Sequence, residues 1–198
     1  MRWQGTAYRA HDPGWAWAPL SGEGAAARGG RFNPAGVPAL YLALSVEGMF
    51  IEMGHGFARR FEPLTVCAYD VDMDDLVDLR TDADRAAVGV DRAAMACPWA
   101  LDRAEGRVPA SWTLAARLIA DGAAGILVPS FATGARADMH NLVLWRWGET
   151  LPHRVTVHDP ARRLPRDRSS WSRSSWSRSF WSRSSWSRSS WPTTPRPA

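Results

Sequence analysis

From Arg168 the chain reads RSSWSRSSWSRSFWSRSSWSRSSW, with tryptophan at 171, 176, 181, 186 and 191. A period of five makes no face in regular structure. On a helix, successive rings step by about 140° and wind around the axis. On a strand, an odd period alternates them between faces. No helix or strand can bury all five rings, so the segment is expected to be disordered. The core must then lie upstream. This divides the chain into a domain over residues 1–171 and a low-complexity Ser/Arg/Trp tail over 172–198. Arginine-spaced rings suit stacking on single-stranded nucleic acid or a membrane surface. They read equally as tandem duplication of a short unit with no selected role.

At 198 residues and 45% hydrophobic, the chain is sized for one domain with a proper core. The pI near 9.8 points at first to nucleic acid. The charge is unevenly placed, however. Residues 1–160 carry 15 Arg against 19 acids, whereas residues 161–198 carry 9 Arg against one. The upstream part is mildly acidic, so no direct nucleic-acid binding is expected of the folded domain. Cys67 and Cys97 sit in no metal-type spacing and read as reduced thiols. His11, His55, His140, His153 and His158 show no metal-ligand pattern either, so no metal is expected. No leader-like segment opens the chain, and no apolar run approaches the ~20 residues of a membrane span. The expectation is a soluble, cytoplasmic protein with no membrane partner.

The segment 3–11 reads as a strand, and 12–38 as a long Gly/Pro/Ala-rich loop with at most a helical turn. ALYLA (39–43) reads as a buried strand, followed by a helix from the cap Ser45 to about Arg59. Val46, Met49, Phe50, Met53 and Phe57 form an apolar stripe on that helix, predicted to face the core. Residues 64–71 read as a strand, and 72–91 as an acidic connection with short helical pieces. Ser111 is predicted to cap a second helix that stops at Gly122. Strands follow at 125–130, 141–147 and 153–159. The mixture gives an α+β (mixed α/β) single domain. It lacks GxGxxG and Walker A motifs, so any nucleotide is held by another scaffold.

Several residues could carry chemistry. Glu52 lies at the edge of the apolar stripe, bracketed by Gly48 and Gly56 at i−4 and i+4, with His55 at i+3. Helical glycine costs ~1 kcal/mol relative to alanine, so the pair reads as room for close approach to a carboxylate. An exposed glutamate on a surface helix gives the same spacing. Arg31 follows Gly29-Gly30, which read as flexible residues that let the backbone come close to a ligand, and precedes Phe32-Asn33-Pro34, in which Asn-Pro reads as a turn. Its guanidinium suits bidentate phosphate binding, or pairing with a nearby acid. Arg9 beside Tyr8 is a weaker signal of the same kind, and Tyr41 reads first as a core residue. Ser130 sits at a strand end, where rigid frames display site residues. It lies in no GxSxG elbow.

In order, YRA (8–10), GGRFNPAGVPALYLALSVEGMFIE (29–52), ILVPS (126–130) and NLVLW (141–145) resemble the RES domain family, the toxin half of bacterial RES–Xre toxin–antitoxin pairs. HDPARRLPRDRSSW (158–171) is similar to the usual end of such domains, and the tail repeats its final SRSSW unit. The resemblance implies a compact fold related to ADP-ribosyltransferases. It implies NAD⁺ as substrate, with cleavage of the nicotinamide–ribose bond by hydrolysis or phosphorolysis, or mono-ADP-ribosylation of a protein target. It also implies an Xre-type antitoxin covering the active site, and a homodimer within a larger toxin–antitoxin complex. By position, Arg31 matches the motif arginine, Tyr41 the strand tyrosine, Glu52 the helix glutamate and Ser130 the serine. Arg9 matches the N-terminal arginine, and Asn141 also falls on a motif position. The implied roles are catalysis by Glu52, Arg31 and Ser130, and NAD⁺ binding by Arg9, Arg31, Tyr41, Ser130 and Asn141.

Overall fold

The computed structural model describes residues 1–54 and 63–171. Seven strands form one curled sheet: β1 (Trp3–His11), β2 (Leu40–Ala43), β3 (Thr65–Met73), β4 (Leu76–Asp78), β5 (Gly125–Pro129), β6 (His140–Leu144) and β7 (His153–Val157). Their spatial order is β4-β5-β6-β2-β1-β3-β7. Every pairing is antiparallel except β4 with β5. Six helices complete the element set: α1 (Glu23–Arg28), α2 (Val46–Met53), α3 (Asp82–Ala87), α4 (Arg92–Ala96), α5 (Trp99–Ala104) and α6 (Ala110–Ala120). The fold is therefore a single α+β domain. Helix α1 and a turn at Pro13–Trp15 lie within the stretch expected to be a loop. Strand β4 lies in the acidic connection, which was expected to hold only helical pieces. Three residues are too few to show strand alternation in sequence. The downstream end of the expected 45–59 helix, with His55, Gly56 and Phe57, lies outside the described residues, as does the tail 172–198.

The sheet buries both faces. Paired residues point to the same side of a sheet, and residues two apart on one strand share a face. One face carries Ala7, Leu40, Leu42, Tyr69, Leu127, Leu142 and Leu144 into a core. The other carries Ile126, Val128 and Val143 against Phe32, Leu79, Met95, Leu114 and Leu118. On this second face Tyr8, Ala43, Asn141 and Val128 form one row across β1, β2, β6 and β5. Tyr41, Val143, Ile126 and Val77 form the next.

A side-chain clamp fixes the loop before β2. Asn33 is fully buried. Its Nδ2 donates to the carbonyls of Ala25, Pro34 and Val37, at 3.0, 3.2 and 2.8 Å. Its Oδ1 accepts the Tyr41 hydroxyl at 2.7 Å, and that hydroxyl accepts the Phe32 amide at 3.0 Å. The neighbouring carbonyls are held from other elements. Trp112 Nε1 donates to Gly30 O at 2.8 Å, Ser111 Oγ to Arg31 O at 2.5 Å and Trp145 Nε1 to Phe32 O at 2.9 Å. A Cβ on Gly30 would lie 2.6 Å from the Tyr41 hydroxyl and 2.7 Å from Asn33 Oδ1. That glycine makes room for the clamp rather than for a ligand, contrary to the sequence reading. Gly29, at φ 73°, turns the chain out of α1. Ser111 is likewise not a cap. The helix starts from Pro109, and the buried Ser111 hydroxyl serves the Arg31 loop instead.

Asn33→Ala removes one accepted and three donated hydrogen bonds and strands buried carbonyls. It should cost about 2–4 kcal/mol in denaturant unfolding, with Tyr41→Phe costing about 1–3 kcal/mol. Unchanged unfolding midpoints for both variants would contradict the clamp.

Candidate active site

Helix α2 is turned relative to its own apolar stripe. Ser45 caps it, its hydroxyl accepting the Gly48 amide at 3.0 Å. Its buried residues are Gly48 and Met49, while Val46 and Phe50 are 43% and 54% exposed. The expected core-facing stripe is therefore only partly buried. A Cβ on Gly48 would crowd the capping Ser45 hydroxyl at 3.0 Å and meet Ala43 Cβ and Met139 Cβ at ordinary contact, 3.9 and 4.0 Å. Glu52 follows one turn later on the Gly48 side and so points at the sheet.

There Glu52 meets two donors. Ser130 Oγ and Asn141 Nδ2 each donate to Glu52 Oε1 at 2.5 Å. Ser130 stands just past β5, with its amide bonded to Met139 O at 2.8 Å. Asn141 belongs to the sheet row that begins at Tyr8. Two donors from the paired β5–β6 region, 78 and 89 positions from Glu52, thus hold one carboxylate oxygen, and Oε2 has no partner among the described residues. Asn141 Oδ1 is buried without a hydrogen bond.

Arg31 lies opposite. Its Nη1 donates to the carbonyls of Met95 and Cys97 at 3.0 and 2.8 Å. Its Cζ lies 4.9 Å from the centroid of the Phe131 ring. Partial burial pushes its pKa down, against the favourable pull of Cys97 and Glu52. No carboxylate forms an ion pair with it among the described residues, so its alternative reading as a salt-bridged loop residue is not met. Arg31, Tyr41, Glu52 and Asn141 line a cavity of about 350 Å³ with Trp99 and Phe131. A second cavity of about 190 Å³ shares Tyr41, Glu52 and Asn141 and extends past Tyr8 and Arg9. The two make one cleft running across β6, β2 and β1.

Five of the six expected residues, Arg9, Arg31, Tyr41, Glu52 and Asn141, border this cleft, and Ser130 reaches it through Glu52. Tyr41 contributes its ring, while burial pushes its hydroxyl's pKa up and the clamp engages it. Arg9 alternates onto the opposite face, beside Cys67 and Tyr69, and its Nη1 donates to Pro19 O and Ser21 O, both at 3.1 Å. Sequence reasoning missed Trp99 and Phe131, the aromatic walls. Phe131 directly follows Ser130, which was a usable signal. Trp99 gave none, because it opens the short helix α5, which carries no periodic signal. Cys67 and Cys97 are both free thiols, and Cys97 Sγ donates to Ser111 Oγ at 3.3 Å. Among the described residues no acidic, His or Cys group could hold a metal ion, and no helix is long and apolar enough to cross a membrane.

No curated protein matches the chain. Among solved structures, a chain from the crystal structure of the M. tuberculosis MbcT-MbcA toxin-antitoxin complex is 26% identical, with a TM-score of 0.51. The similarity covers 80% of this chain and 84% of that one. The RES domain family model matches residues 6–167, which span β1 to the segment beyond β7 and include all six site residues. The chain belongs to the RES domain family.

Proposed function

We propose that this chain is the toxin of a toxin–antitoxin pair and acts by cleaving the nicotinamide–ribose bond of NAD⁺. The observation that carries this reading is the Glu52 carboxylate, with one oxygen held by Ser130 and Asn141 and the other without a partner among the described residues, in an aromatic-walled cleft shared with an arginine that meets no carboxylate among them. The family membership and the toxin–antitoxin title of the structural neighbour support it.

The residues suit the steps. Heterolysis of the C1′–N bond moves the bonding pair onto the pyridinium nitrogen. It releases neutral nicotinamide and leaves an oxocarbenium-like ribose. A fixed carboxylate stabilises that developing positive charge without reorganising, and Oε2 is the oxygen available for it. Water attacking the same carbon gives ADP-ribose, its proton passing to Oε2. Phosphate attacking there gives the 1-phosphate instead. Trp99, Phe131 and Tyr41 offer flat surfaces to a cationic ring. Arg31 has an unused guanidinium edge for the pyrophosphate, and Arg9 flanks the far end of the cleft. Ser130 and Asn141 are positioning residues for Glu52. The exposed Val46 and Phe50 lie on α2 itself, a surface that suits coverage by an Xre-type antitoxin.

Induction in a bacterium should stop growth as cellular NAD⁺ falls, and Glu52→Gln should abolish both effects. Arrest with NAD⁺ unchanged would refute the reading. In purified protein, Glu52→Gln should lower kcat by about 10²–10⁴. Ser130→Ala should lower kcat less, with KM nearly unchanged. Truncation after Trp171 should leave turnover intact, because the tail lies beyond the family match at residue 167. Loss of turnover on truncation would assign function to the tail instead.

A further inference from the structure

A third cavity, of about 300 Å³, opens beyond the Arg9 end of the cleft. It is lined by Arg9, His11, Asp12, Trp15, Ser21 and Arg28 among others. Arg9 and Ala10 border both this cavity and the smaller part of the cleft, so the two spaces share a wall.

Two guanidinium groups converge here without a carboxylate partner. Arg9 donates through Nη1 to the carbonyls of Pro19 and Ser21 and lies beside the Tyr69 hydroxyl, with no carboxylate partner among the described residues. Arg28, at the end of α1, has no side-chain hydrogen bond or ion pair among the described residues, although it lies close to Gly24. The lining acid is Asp12, whose Oδ1 accepts the Gly14 amide at 2.7 Å. His11 Nε2 is buried with no partner. Like charges brought together in one concavity repel unless an anion joins them. Arg9 is half-buried, so its charge is only partly solvated, while Arg28 is exposed at the mouth. Planar guanidinium groups match the oxygens of a tetrahedral phosphoryl group.

From this convergence we propose that the cavity is a phosphoryl-binding site, with Arg28 and His11 as its ligands beside Arg9. Two sources supply that chemistry: free inorganic phosphate, or a phosphate of the nucleotide lying in the adjoining cleft. The second source rests on the proposed NAD⁺ reading, and the first does not.

Titration calorimetry on the full chain with inorganic phosphate and with ADP-ribose separates them. Arg28→Ala should weaken the bound probe about tenfold or more, and His11→Ala should weaken it in the same direction. Asp12→Asn should tighten it. If free phosphate is the occupant, phosphate affinity responds and KM for NAD⁺ does not. If the nucleotide supplies the group, ADP-ribose affinity falls and KM for NAD⁺ rises with kcat unchanged. Arg28→Glu reverses the charge at an exposed position, so its folding is readily checked by thermal melting. If Arg28→Ala and Arg28→Glu both leave phosphate and ADP-ribose affinities at the wild-type value, the site is refuted. Phosphate binding that responds to Arg28 in a chain with no NAD⁺ cleavage would sustain the site and refute the catalytic reading alone.

Discussion

The hydrogen bond between the Tyr41 hydroxyl and Asn33 Oδ1 is the contact on which the site geometry depends. It ties the loop carrying Arg31 to the strand carrying Tyr41. Asn33 is fully buried and Tyr41 half-buried, so an unmet group on Asn33 would cost the desolvation of a polar atom. The remaining bonds follow from it. Once Asn33 is fixed, Trp112, Ser111 and Trp145 can reach the carbonyls of Gly30, Arg31 and Phe32. Arg31 is then aimed by its backbone as well as by the Met95 and Cys97 carbonyls. A guanidinium held this way loses little freedom when it meets a ligand.

The opposite wall obeys a different constraint. Helix α2 buries Gly48 and Met49, turns the half-buried Glu52 toward the sheet and leaves Val46 and Phe50 facing outward. Apolar burial alone would favour rotating the helix until its stripe faced inward. The bonds from Ser130 and Asn141 satisfy Glu52 in the observed orientation. The arrangement gives up apolar burial for a preorganised carboxylate, as expected where function overrides the local rule.

Much of this was legible in the sequence. The strand 39–43, the Ser45 cap and the apolar strands around 126 and 142 follow from local pattern, and each appears in place. The ordered motif blocks picked out six residues, of which five border one cleft and Ser130 bonds Glu52 within it. What stayed hidden was tertiary. Asn33-Pro34 looks like a turn and Gly29-Gly30 like a flexible approach to a ligand, yet Asn33 is a buried hub and Gly30 accommodates a tyrosine hydroxyl. Ser111 has the composition of a cap but spends its hydroxyl on a loop eighty positions away. Trp99 enters the cleft from the short helix α5, which carries no periodic signal. The orientation of α2 could not be read from a stripe whose most apolar side is not its buried side.

The most direct measurement is the fate of NAD⁺ mixed with the purified protein, followed by chromatography of nicotinamide and the ribose product, with and without phosphate. The account predicts stoichiometric release of nicotinamide that depends on Glu52, paired with ADP-ribose in water alone or its 1-phosphate if phosphate is the nucleophile. Intact NAD⁺ after prolonged incubation with a chain shown to be folded and free of its antitoxin would contradict it.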